Sequence, residues 1–294
     1  MLKPLVENCQ EELKDPRRCL GHLLVMTRVA SELRLPALAD ESSSQAMSLL
    51  EQEGLWEDPI ALLVVASRLQ HLLDAERRGD VESIGARIDQ LLSSPRQRRH
   101  AYMIMFLDFA CDYLEFVDEI ESSLKLSVFY VQLLENIGLT NGRNLQSAVL
   151  RTARLLERQG NSDSARQIYD DLFLRLLRMK DEHYHYSIYQ ASARNAWRSR
   201  DYDRACVDYS IALLYFTKQG HEMSTEAANL HFWTSVSCYR TRESLPKARA
   251  HYRRAQEIFL ARAKSGIATD PRKEASLFRP IFTNTVNVAW WLSH

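Results

Sequence analysis

The chain has 294 residues, of which 46% are hydrophobic and 26% charged, values that exclude a disordered or acidic solvating protein and leave ample material for a core. Lysine plus arginine equals aspartate plus glutamate at 38 each, so no global field draws the protein to nucleic acid or anionic lipid, and any attraction has to come from a local patch. Asp15-Pro16, Asp58-Pro59, Ser94-Pro95 and Asp270-Pro271 each join a helix-capping side chain to a residue preset for the first helical turn. Between such starts the apolar residues recur at helical spacing, as in Leu62, Val65, Ala66, Leu69, Leu72 and Leu73, and period-two alternation is scarce. In chain order the pattern predicts helices over 16–34, 43–53, 59–78, 80–93, 95–117, 119–136, 143–159, 162–180, 182–199, 202–218, 222–241, 244–264 and 271–292. They fall into pairs, with turn signals at Gly79-Asp80, Gly138 with Asn141-Gly142, Gly160-Asn161, Gly220 and Gly266. The fold class expected is all-α.

Two of these segments stand apart. The stretch 95–117 is apolar nearly all round, from Tyr102 to Phe116, and reads as a helix buried on several sides. The last segment carries adjacent Trp290 and Trp291, which cannot share one stripe of a helix. Either one is exposed or the C-terminal helix docks on another chain, which makes self-association a use for it.

Cys9, Cys19, Cys111, Cys206 and Cys238 are odd in number, far apart and without a CxxC pair, so reduced, mostly buried thiols and a cytoplasmic location are expected, with no structural metal. The start, MLKPLVENCQEELKD, has no apolar run long enough for a signal peptide, and the longest apolar stretch, at 61–66, is far short of a membrane span, so no membrane partner is expected. HExxH, GxSxG, a phosphate-binding glycine loop and a dinucleotide fingerprint are all missing from the sequence, which predicts no catalytic residues, no cofactor and no enzyme activity. His183-Tyr184-His185-Tyr186 looks like a ligand cluster, but residues two apart on a helix point in different directions, and a structural role is expected instead. The basic runs at 97–100 and 77–79 are too short for a DNA-recognition helix.

Three stretches, SARQIYDDLF, RACVDYSIAL and KARAHYRRAQ, place an alanine four residues before a tyrosine, at Ala165/Tyr169, Ala205/Tyr209 and Ala248/Tyr252, with steps of 40 and 43 residues between the alanines. Twelve residues before each alanine stand Ala153, Ala193 and Val236 on the preceding helix, where small side chains let two backbones approach. These residues resemble the tetratricopeptide repeat family in its long-period form. The resemblance implies a right-handed superhelical array of antiparallel helix pairs, an α-solenoid. Gly160 matches the family's inter-helix turn, whereas Arg200 and Glu243 depart from it and Val236 is larger than usual. Stepping back 40 residues lands near Leu124, Ile84 and Ala46 without the Ala and Tyr signature. The organisation expected is therefore 1–140 as divergent repeats, 141–266 as three clear repeats and 267–294 as a capping helix.

In that family the first helices of successive pairs line a ligand groove. Here Val149, Ala153 and Leu156, then Tyr189, Ala193 and Ala196, then Phe232, Val236 and Tyr239 read as core stripes. The opposite stripes read Leu150, Arg151, Arg154, Glu157 and Arg158, then Gln190, Arg194, Trp197 and Arg198, then Trp233, Ser237 and Arg240. Arginine gives bidentate bonds to carboxylate or phosphate, and tryptophan adds flat apolar area with little entropy to lose. The expected partner is a protein or peptide segment of acidic character, bound by an adaptor or regulatory protein. The alternatives are a nucleic-acid-linked regulator using the same arginines, and a structural helical subunit of a larger complex.

Overall fold

The computed structural model describes residues 15–139, 143–176, 185–241, 245–265 and 271–293. Among them the secondary structure is helical, with thirteen α-helices and two short 3-10 turns. Six pairs run in order: α1 (Pro16–Glu32) with α2 (Pro36–Gln52), α3 (Ile60–Asp74) with α4 (Arg78–Ser93), α5 (Tyr102–Phe116) with α6 (Ile120–Asn136), α7 (Arg143–Arg158) with α8 (Ser162–Leu176), α9 (His185–Arg198) with α10 (Tyr202–Lys218), and α11 (Thr225–Arg240) with α12 (Leu245–Ser265). A single helix, α13 (Pro271–Ser293), follows. The chain divides into two compact units between Ala148 and Val149, inside α7.

The repeat register runs through both units. Ala39, Val81, Ser123, Ala165, Ala205 and Ala248 each lie in the first half of a second helix, and each is fully buried. Their steps are 42, 42, 42, 40 and 43 residues. Leu124, Ile84 and Ala46 fall in α6, α4 and α2, the second helices of pairs three, two and one. Four residues after each marker the later pairs carry Tyr169, Tyr209 and Tyr252, all buried. The earlier pairs carry Ser43, Gly85 and Ser127 there, buried as well. The aromatic filler is what the first unit lacks, and its absence conceals the register in the sequence.

The turn inside each of the first five pairs is set by one residue in the left-handed region: Arg34, Glu76, Asp118, Gly160 and Arg200, spaced 42, 42, 42 and 40 residues apart. Only one of these five is glycine. An L side chain at such a position costs about 1–2 kcal/mol, part of which glycine gives back in unfolded-state entropy. Glu76→Gly and Arg34→Gly are therefore each expected to raise stability by about 0.5–1 kcal/mol. Urea unfolding measures this, and a loss in both variants would show that the turn does not hold that conformation in solution.

α2 begins at Pro36, well before the expected 43. Ser42 and Ser43 donate to the carbonyls of Leu38 and Ala39 at 2.8 and 2.7 Å and so stay inside the helix. In the first unit α1 packs on α2 and α3, α3 on α4 and α5, and α5 on α6, around Leu20, Leu62, Leu69, Phe106 and Leu107. α5 is less buried than its composition suggested: Phe106, Leu107 and Ala110 are core, but Tyr102 and Met105 are 41% and 47% exposed. In the second unit α9, α10, α11, α12 and α13 pack each on the next, around Ala193, Ala205, Tyr209, Ala228, Tyr252 and Ile281. Trp290 is 54% exposed, while the side chain of Trp291 lies outside the described residues.

The cysteines correct the expectation of reduced thiols. Cys206 on α10 and Cys238 on α11 form a disulfide with their Cα atoms 4.8 Å apart, Cys19 is also disulfide-bonded, and Cys111 is free and buried. Residues 32 apart in sequence meet only because consecutive pairs stack, which spacing alone does not show.

Candidate partner-binding groove

The inner stripe of the second unit is narrower than the sequence implied. Arg151 is 7% exposed and Ser237 is fully buried, so neither faces an open groove. The reason is that α7 buries Ala148, Arg151, Thr152, Ala153 and Leu155, a broad face and not a single stripe, leaving Arg154 and Arg158 on the open side. Arg194, Arg198 and Arg240 are exposed, and Gln190, Trp197 and Trp233 are half-buried.

Five of the expected residues come together. Trp197 and Trp233 meet edge to face with ring centroids 5.9 Å apart. Trp197 also lies 4.9 Å from the Tyr202 ring, and Trp233 stacks on Tyr209 at 6.4 Å. The Arg240 guanidinium sits over Tyr202 at 6.0 Å, and the Arg194 charge acts on the Tyr209 hydroxyl. Arg198 reaches the Glu157 carboxylate at 2.9 Å. The tryptophans pack against the alanine-rich core on one edge, so they act as half-sunk anchors. No described contact draws Gln190 into this cluster.

Glu157 is the electrostatic centre. Its side chain is only 3% exposed, and it accepts from the Tyr169 hydroxyl at 2.8 Å as well as from Arg198. Burial pushes its pKa above the usual carboxylate range even though Tyr169, Arg198 and Arg194 oppose that. The Tyr169 hydroxyl is held protonated by burial and by the neighbouring carboxylate, and burial raises Tyr209 to about 12. Of the arginines, Arg198 is thus half spent on an internal acid, while Arg154 stands open beside Tyr169. The arrangement suits binding. Among the described residues, no group of three or more metal-ligating side chains accompanies it.

No protein-family model and no curated protein matches the chain. Solved structures do match its fold. A signal-transduction ATPase of the STAND type with a tetratricopeptide repeat sensor, from Pyrococcus horikoshii, superposes with a TM-score of 0.66 at 14% identity over 92% of this chain, which spans 44% of that protein. A tetratricopeptide repeat protein from Parabacteroides merdae gives 0.54 at 13% identity, over 93% of this chain and 97% of that one. The apo form of the quorum sensor NprR from B. thuringiensis gives 0.56 at 13% identity, over 98% and 87%. The fold is of the tetratricopeptide-repeat type.

Within this tetratricopeptide-type fold the first unit offers an inner surface that the sequence reading missed. The first helices α1, α3 and α5 border an open cavity of about 580 Å³, with Val25, Leu63, Met105 and Phe109 on its walls and His71 among its polar groups. The signal that could have found it is the excess of apolar residues on α5, more than one buried stripe requires. His185, from the His-Tyr motif, is buried edge-on to Tyr215 and serves packing, while His183 and Tyr184 lie outside the described residues. No helix among the described residues is long and apolar enough to cross a membrane.

Proposed function

We propose that this protein is a non-enzymatic adaptor or regulatory protein that reads an acidic peptide or protein segment along the Arg/Trp face of its second unit. The observation that carries this is the Trp197–Trp233 pair, half-exposed and flanked by Arg194, Arg198 and Arg240. Flat anchors beside guanidinium groups favour a partner bearing both apolar side chains and carboxylates. The tetratricopeptide-type fold supports the reading, because stacked pairs present long extended surfaces. The neighbours that act as sensors, NprR and the STAND protein, fit a regulatory role. We place the protein in the cytoplasm. The Cys206–Cys238 bond counts against that placement, and its recovery from rapidly alkylated cells would move the protein to an oxidising compartment.

The test is an array of synthetic peptides in acidic and amide-matched versions, probed with the wild type and with Arg154→Ala/Arg194→Ala/Arg240→Ala. Acidic peptides are expected to bind, and the triple variant to lose at least about tenfold in affinity with its helicity unchanged. Equal binding by the triple variant would remove the groove. Retention of single-stranded nucleic acid in preference to peptide, with a steep salt dependence, would instead favour phosphate recognition by the same arginines.

A further inference from the structure

The second-helix side of the first unit holds a cavity that the groove reading does not use. It originates in the missing aromatic filler. Where later pairs carry a buried tyrosine, pair two has Gly85, and the space is taken from the next pair: a β-carbon on residue 85 would overlap the Tyr113 hydroxyl of α5. Tyr113 thus substitutes for the absent second-helix tyrosine but spans the gap only at its tip. α4 is held to the unit through α3 and the 3-10 turn at Gln97–Arg99. Between α4, α5 and α6 a cavity of about 590 Å³ remains, walled by Leu92, Met103, Leu114, Leu126 and Phe129. That volume is in the range of small-molecule sites.

The charges at its mouth are not balanced in practice. Lys125 is paired with Glu121 at 2.7 Å, and Arg98, whose Nε donates to the Leu92 carbonyl, keeps its charge but is one cation against two carboxylates. Asp89 and Glu119 line the cavity, are exposed, and have no ion-pair partner among the described residues. Together with Glu82 they bear on the Tyr113 hydroxyl, which burial and these carboxylates keep protonated. A half-buried apolar wall, two aromatic rings and two uncommitted carboxylates make a site for positive charge carried on an apolar body.

We propose that this cavity binds a small organic cation, an ammonium group on an alkyl or aryl body, at a site separate from the peptide groove. The full chain is titrated calorimetrically with 4-phenylbutylammonium and, in parallel, with 4-phenylbutyrate. Saturable one-to-one binding of the ammonium, at least about tenfold tighter than that of the acid, is expected from two half-screened carboxylates. Asp89→Asn/Glu119→Gln should erase that preference. Leu126→Trp, which fills the cavity, should abolish binding, and Arg154→Ala/Arg194→Ala/Arg240→Ala should leave it intact. Equal affinity for acid and ammonium, no saturable binding, or unchanged binding in the carboxylate variant would each overturn the proposal. If Leu126→Trp fails to fold, the exposed carboxylate pair decides alone. Because the groove variant is a separate arm, failure here leaves the groove proposal standing.

Discussion

Replacing Tyr169 by alanine is expected to destabilise the protein by about 3–5 kcal/mol, the range for removing a fully buried aromatic side chain. Tyr169 is 0% exposed and packs with Ala153, Ala165 and Ala191, so small neighbours surround it and cannot collapse far into the space it leaves. Its hydroxyl adds a second cost. Glu157 has its side chain 3% exposed and keeps one oxygen on Tyr169 and the other on Arg198. Tyr169→Phe preserves the ring but withdraws that donor from a buried carboxylate, for an expected loss of about 1–3 kcal/mol. Urea unfolding followed by circular dichroism separates the two. A loss below about 1 kcal/mol for the alanine variant would mean that the ring is not the filler between pairs four and five.

The second large effect is on acid stability. His231 on α11 and His251 on α12 bring their Nδ1 atoms to 2.9 Å, so one neutral ring donates to the other and they hold opposite tautomers. Burial is the main reason that His231 is depressed to about 3, with His251 and Arg254 adding to it, and that His251 is depressed to about 4, with Lys247 adding to it. A histidine whose folded pKa lies below its unfolded value of 6.5 binds fewer protons folded than unfolded in the interval between. Stability from the pair is therefore complete above about pH 6.5 and is lost as pH falls toward 4. The raised carboxylates Glu157 and Asp208 act in the opposite sense at the acid end, which makes a difference measurement necessary. The thermal midpoint of the wild type is expected to drop between pH 7 and 4.5 by clearly more than that of His231→Asn/His251→Asn. Parallel curves would show that the pair is not neutral and buried in solution.

How far the sequence revealed this depends on which residues mark the repeat. In pairs four to six the alanine and tyrosine are large signals with fixed spacing, and both the helices and the contacts there follow from them. In pairs one to three the same buried positions hold Ser43, Gly85 and Ser127, residues common in loops, so the register is present but unmarked. The clustering of Trp197 and Trp233 with Arg194, Arg198 and Arg240 was legible, because side-chain periodicity places them on matching stripes of their helices. Arg151 and Ser237 were misplaced because periodicity on one helix does not tell how many neighbours that helix has. The Glu157–Tyr169–Arg198 network and the Cys206–Cys238 bond join residues from different helices, and no local pattern encodes them.

That bond has a further consequence for how the second unit comes apart. In a row of hairpins where each touches only its neighbours, the terminal ones open first and the opening spreads inward one hairpin at a time. Cys206 belongs to pair five and Cys238 to pair six, so the covalent link forbids their separation. A front advancing from the C-terminal end therefore meets a rivet between the last two hairpins, and Trp197 and Trp233, which span the same joint, stay within reach of each other after α13 has peeled away.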